Sequence, residues 1–242
     1  MITPVGVFFP FMQSVGLAVT IAWISGRSGN AVALAYALIG AAFMQIWNWS
    51  VWRTGWSLSD EQLQGTLELM MTTRTPLIVV MFGKMLAITV FMTLSGVLVF
   101  LIVLVIAQGV PHIALPGLFL ISMAFAFMAV ISSSFIFAPF TFLLAGRGGF
   151  FNAILPFGML VSGFLFPARL LPAGLQTVAH LMPTSWAMNA IVLSIYGDGG
   201  LGDILACWGY VFLLTVIYLA AAGRFFMMAE HRVRITGNLA KG

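Results

Sequence analysis

The sequence predicts an all-α integral membrane protein. Six transmembrane helices are expected, with a short amphipathic helix in the loop between spans 2 and 3 and short re-entrant helices between spans 5 and 6. Three observations carry this reading. Hydrophobic residues make up 62% of the 242 positions and charged residues only 7%, where a soluble domain carries about 25% charge. Mean hydropathy is +1.10; so few charges cannot cover the surface of a water-soluble fold of this size. The apolar residues also fall into runs of about 20, the length that crosses the hydrocarbon core as a helix. A soluble enzyme, a nucleic-acid binder and a disordered regulator are thereby excluded.

The spans follow from the breaks between the runs. The first, residues 5–25, ends at the polar turn Gly26-Arg27-Ser28-Gly29-Asn30. It lacks a basic leader and a small-residue cleavage site, so it reads as a mature span rather than a signal peptide. The second, residues 31–52, closes on Trp47, Trp49 and Trp52, which read as an interfacial aromatic belt. The third, residues 77–107, is long enough to tilt or project and is broken by Gly109 and Pro111. The fourth, residues 115–145, contains Pro139 as a potential kink. The fifth covers residues 150–166 and the sixth residues 204–228. The whole chain, 1–242, reads as one transmembrane domain.

Lysine and arginine set the orientation. With six spans both termini share a side, and that side holds Arg53, Arg74, Lys84, Arg147, Arg224, Arg232, Arg234 and Lys241; Arg27 and Arg169 lie opposite. The basic side is the cytoplasm, so both termini are cytoplasmic in a multi-pass plasma (inner) membrane protein. The net charge of +4 is what such loops supply and calls for no nucleic acid. Cys207 is the single cysteine, excludes an internal disulfide and reads as a small buried side chain.

The loop 53–76 is not a plain connector. It holds three of the six acids, Asp60, Glu61 and Glu68. Ser59 with Gln62 forms a capping-box pattern, and Ser57 with Asp60 a competing register. A helix over residues 59–72 is expected, with Leu63, Leu67 and Met70 on one apolar stripe and Glu61 and Glu68 on a neighbouring polar face. An interfacial helix on anionic lipid would carry basic residues there. The acidic face suits a protein partner better. Gly65, between the acids, permits close approach.

The second informative stretch, residues 167–196, is apolar but broken by Pro167, Pro172, Gly174 and Pro183. Irregular backbone is not tolerated against lipid, so short re-entrant helices packed on protein are expected, with Thr184 or Ser185 capping the helix after Pro183. Within the spans there are hydroxyls and amides, such as Gln45, Ser132, Ser133 and Ser134, but no mid-span acid or base. That argues against a proton-coupled carrier. Lys84 reads as snorkelling to headgroups. His112, His180 and His231 lie apart, and neither a metal site nor a catalytic constellation is expected.

At these residues the chain resembles an ABC-2 type transporter permease. The segment running from Glu61 through Gln62-Leu63-Gln64-Gly65-Thr66-Leu67-Glu68 to Thr75-Pro76, then Gly83-Lys84, is similar to the family's E-x-x-x-G-T-L-E pattern and its G-K sequel. Ser162-Gly163-Phe164-Leu165-Phe166-Pro167-Ala168-Arg169-Leu170-Leu171-Pro172 resembles its S-G-x-x-x-P-x-x-x-L-P, and Leu181-Met182-Pro183-Thr184-Ser185-Trp186 its L-P-x-T-W turn. The likeness covers roughly residues 30–230. Family members usually carry an amphipathic connecting helix before the first span, where this chain runs almost directly into apolar sequence.

The resemblance implies the membrane subunit of an ATP-driven exporter. Its cargo would be a hydrophobic or amphiphilic compound, such as a drug, an antibiotic or a lipid. Two permease chains, identical or homologous, would pair with two separate ATP-binding subunits. Residues 59–72 would be the coupling helix, with Glu61, Leu63, Gln64, Gly65, Leu67, Glu68 and Met70 as ATPase contacts. Phe166, Pro167, Arg169, Pro172, Pro183 and Trp186 would form an extracellular gate. No P-loop pattern is present, so the chain is no enzyme by itself, and ATP and Mg belong to the partner. The alternatives are a lipid-linked glycan or polymer exporter of the same family, an ion-coupled carrier or membrane enzyme, and a channel or anchoring subunit.

Overall fold

A computed structural model describes residues 12, 16, 20, 31–66, 70, 77–106, 113–143, 148–164, 167–197 and 200–236. Its elements are all helical: α1 (Ala31–Leu63), α2 (Leu77–Ile106), α3 (Pro116–Leu143), α4 (Gly148–Val161), a 3₁₀ turn (Ala168–Leu170), α5 (Ala173–Leu181), α6 (Pro183–Tyr196) and α7 (Leu201–Thr236). Of the first expected span, only Met12, Gly16 and Thr20 are described, each helical; the rest of it lies outside the described residues.

Among the described residues, two helices are long and apolar enough to cross a membrane, over Pro116–Phe137 of α3 and Leu201–Met228 of α7. The α5–α6 pair, bent by 94° at Met182, makes a third if it counts as one broken span. This is the composition of a membrane protein. The long α7 also exposes Leu205, Phe212, Leu213, Val216 and Ile217, side chains that suit hydrocarbon and not water.

α3 is the centre of the bundle. It packs on α1, α6 and α7, while α2 lies mainly against α1. Small residues make this possible. Ser132, Ser133 and Ser134 are all buried on α3, and each hydroxyl donates to a carbonyl one turn back, at Ala129 or Val130. Their polarity is thereby spent inside the helix. Trp47 of α1 is fully buried and donates its indole N–H to Ser133 Oγ at 3.0 Å. It belongs to the core rather than to an interfacial belt. Its ring sits edge-on to Phe137 and tilted on Phe164. Gly158 of α4 admits it: a Cβ there would stand 2.6 Å from the ring. Trp208 of α7 repeats the device, donating to Ser122 Oγ at 3.0 Å while stacking on Phe125.

α1 does not stop at Trp52. It runs 33 residues to Leu63, so Ser57 and Ser59, read from sequence as helix starts, lie inside it. Between Trp52 and Glu61 there is one glycine and no proline, and a single glycine costs only about 1 kcal/mol. Ser57 Oγ donates instead to the Thr54 carbonyl. α7 likewise continues through its basic end to Thr236, spanning about 54 Å; its apolar part ends at Met228, where the sequence reading closed the span. Pro139 and Pro156 sit inside α3 and α4 without ending them.

Candidate functional site

Three places hold chemistry that the packing alone does not require. The first is the end of α1. Gln64 donates its backbone N–H to the Asp60 carbonyl, and Gly65 takes φ +70, the left-handed conformation that glycine adopts without strain. Glu61 lies one turn earlier and is buried, with 8% exposure. Its carboxylate accepts from Lys84 Nζ on α2 and from the Thr66 hydroxyl. Burial raises the Glu61 pKa, but the hydrogen bonds from Lys84 and Thr66 and the Lys84 charge outweigh that and hold it below the usual carboxylate range.

This places the expected partner contacts differently from the sequence reading. Glu61 is committed inside the chain and is not presented outward, and Lys84 finds Glu61 rather than a headgroup. Leu63 is 79% exposed, with Gln64 and Gly65 exposed beside it. Thr66 and Met70 are half-buried. Leu67 and Glu68 lie outside the described residues. Gly65 ends the helix instead of sitting within it.

The second place is the opposite end of the bundle, around residues 162–197. Gly163 takes φ +80, and a Cβ there would stand 3.4 Å from Ser185 Cα. Its carbonyl accepts from the Tyr36 hydroxyl of α1. A Cβ at Gly40 would overlap the Phe164 carbonyl oxygen. The turn after α4 is thus clasped between α1 and the start of α6. Gln176 donates to the Arg169 and Leu171 carbonyls, which ties α5 to the 3₁₀ turn. α6 then begins at Pro183 with Met182 as N-cap and no side-chain cap. The expected capping by Thr184 or Ser185 does not occur. Proline at the first helical position has no N–H of its own to leave unpaired and is preset for the helix, and the Ser185 backbone N–H donates to the Met182 carbonyl. Both hydroxyls are buried without a partner among the described residues.

Of the expected gate, Arg169 and Pro172 are exposed, Pro167 and Trp186 half-buried and Pro183 buried; Phe166 lies outside the described residues. Trp186 donates to the His180 carbonyl and stacks on Tyr210 of α7 at 4.3 Å. Pro183 and Trp186 share α6, whereas Arg169 lies in the 3₁₀ turn, with Pro167 and Pro172 on either side of it.

The third place is a pocket of about 70 Å³ between α1, α2 and α3, lined by Ile39, Phe43, Ile46, Val97, Phe119, Met123 and Phe127 with Ala42. Every lining side chain is apolar, so it suits a hydrocarbon or aromatic group. Its α1 wall belongs to a longer buried seam: Ile39, Phe43, Ile46, Ser50, Thr54, Ser57 and Glu61, all under 9% exposed. Steps of three and four residues keep these on one face. The sequence reading did not single out Ser50 or Thr54, and it assigned Ser57 and Glu61 to a separate loop helix. The signal was present in the spacing, but a helix break assumed at Trp52 concealed it. Among the described residues there is no group of His, Cys, Asp or Glu that would hold a metal.

No family model matches the chain, and no curated protein matches it.

Proposed function

We propose that the chain is the six-span transmembrane subunit of an ABC-2 type exporter. In this reading it moves a hydrophobic or amphiphilic compound out of the cell, powered by a separate ATP-binding subunit. Paired with a second permease chain, it sits in the plasma membrane with both termini in the cytoplasm. The observation that supports the reading most is the end of α1. Beyond Glu61 the Leu63-Gln64-Gly65 knuckle is exposed, and the Glu61–Lys84 pair ties it to α2; in this reading the knuckle faces the cytoplasm. A projecting apolar turn, rigidly tied to two long helices, transmits a push from a soluble partner into the bundle. Glu61 then positions the contact, and Leu63, Gln64 and Gly65 make it.

Purification of the chain in mild detergent, with mass spectrometry of what accompanies it, tests this reading. A stoichiometric ATP-binding subunit with vanadate-sensitive ATP hydrolysis is the expected result. Leu63→Asp should lower its recovery several-fold while the chain itself stays folded. Absence of any ATPase, under conditions that keep other transporters intact, would sink the reading and leave the channel or anchor alternatives.

A further inference from the structure

The seam of α1 changes character half-way along. Ile39, Phe43 and Ile46 wall the apolar pocket; at the same spacing Ser50, Thr54, Ser57 and Glu61 follow, equally buried. Ser57 is bonded to the Thr54 carbonyl and Glu61 to Lys84 and Thr66. Ser50 Oγ and Thr54 Oγ1 reach no partner among the described residues, although both side chains are fully buried. A buried hydroxyl normally bonds back to its own helix, as Ser132, Ser133 and Ser134 do on α3. An apolar side chain of the same size would pack without leaving a polar group unsatisfied. Closed packing therefore accounts for the shape of Ser50 and Thr54 but not for their oxygens, whereas contact with water accounts for both.

At the end of this polar strip stands the Glu61–Lys84 pair. It joins α1 to α2 where α1 ends in the left-handed turn at Gly65. On α2, Met81 and Met85 flank Lys84 and are buried; unbranched and adaptable, they reseat at low cost when a facing helix shifts.

We propose that Ser50, Thr54 and Ser57 form one wall of a water-accessible cleft, closed in this structure by the Glu61–Lys84 pair and opened from the Leu63 end when that pair parts. The inference goes beyond the permease reading, because it concerns how α1 and α2 separate and not what drives them. That the mouth faces the cytoplasm does rest on the orientation proposed above.

Cysteine accessibility in native membranes tests it. With Cys207→Ala as background, Ser50→Cys and Thr54→Cys are reacted with a membrane-impermeant maleimide, in intact cells and in inside-out vesicles. With the pair intact, labelling should be slow. Glu61→Lys sets two cations against each other and should speed labelling at least tenfold in inside-out vesicles. The swap Glu61→Lys with Lys84→Glu should bring the rate back down. Ala129→Cys, fully buried on α3, should stay unreactive throughout. If it reacts in the Glu61→Lys chain, that chain has unfolded, and the milder Lys84→Met variant carries the comparison instead. Equal rates with the pair intact, broken and swapped would overturn the proposal. Faster labelling from outside only would keep the cleft and overturn the proposed orientation.

Discussion

Single atoms decide how closely α1 approaches its neighbours. Gly40 faces a backbone carbonyl, which cannot yield, while Gly158 faces the edge of the Trp47 ring, which can tilt. Gly40→Ala should therefore cost more stability than Gly158→Ala. A loss on the order of 3 kcal/mol is expected for the first and about 1 kcal/mol for the second, within the range for overpacked cores. Thermal unfolding in detergent ranks the two, and the opposite order would contradict the clasp between α1 and the Phe164 turn. Glu61 makes a second residue-level prediction. Its carboxyl is held below the ordinary value, so its contribution is present above the unfolded pKa of about 4.3 and is lost as pH falls through the lower folded value. Glu61→Gln should remove this acid-side decline and lower stability at neutral pH by about 1 kcal/mol. Melting curves from pH 3 to 7 on both chains make the comparison.

At the scale of elements, the continuity of α1 matters most. A break at Trp52 would leave the loop helix free to hinge; an unbroken helix of 33 residues carries rotation from one end to the other. One alanine inserted after Trp52 should turn Glu61 by about 100° away from Lys84. Cysteines at positions 61 and 84, bridged by a bifunctional thiol reagent long enough to replace the reach of the Glu and Lys side chains, should then cross-link in the unmodified frame and lose most of that yield after the insertion. A flexible joint would leave the yield unchanged. This element also measures how much of the fold is legible in sequence. The apolar runs marked α2, α3 and α7 to within a few residues at most ends, because long continuous hydrophobicity competes with nothing. Pro183 marked the bend before α6. The start of the loop helix was misplaced because its capping residues are equally content inside a helix, and only tertiary packing decides between the two; Thr66 and Met70, in its expected second half, are helical. The partners of Glu61 and Tyr36 lie 23 and 127 positions away, and spacing along the chain carries no trace of such contacts.

The molecule as a whole is short of charge where it meets its surroundings, and that has a direct test. The chain should stay with the membrane fraction through alkaline carbonate, as expected for α3 and α7 as spans. A fluorescent protein fused at the C terminus should fluoresce, and alkaline phosphatase at the same point should be inactive, if the basic end of α7 is cytoplasmic. The reverse pattern would invert the proposed orientation and place the Leu63 knuckle out of reach of any cytosolic ATPase.

The matched tryptophan–serine bonds of α3 have an optical consequence. Trp47 and Trp208 sit on different helices, yet each gives its indole proton to a serine of α3, at Ser133 and Ser122. Those serines are eleven residues, or about 16 Å, apart along the helix. Each indole thus views α3 from a different neighbour and at a different depth. With the other six of the seven tryptophans replaced by phenylalanine, the emission colour of the one that remains becomes a gauge of its own junction. A slide of α3 along α1 would change the first signal and leave the second alone; a slide along α7 would do the opposite.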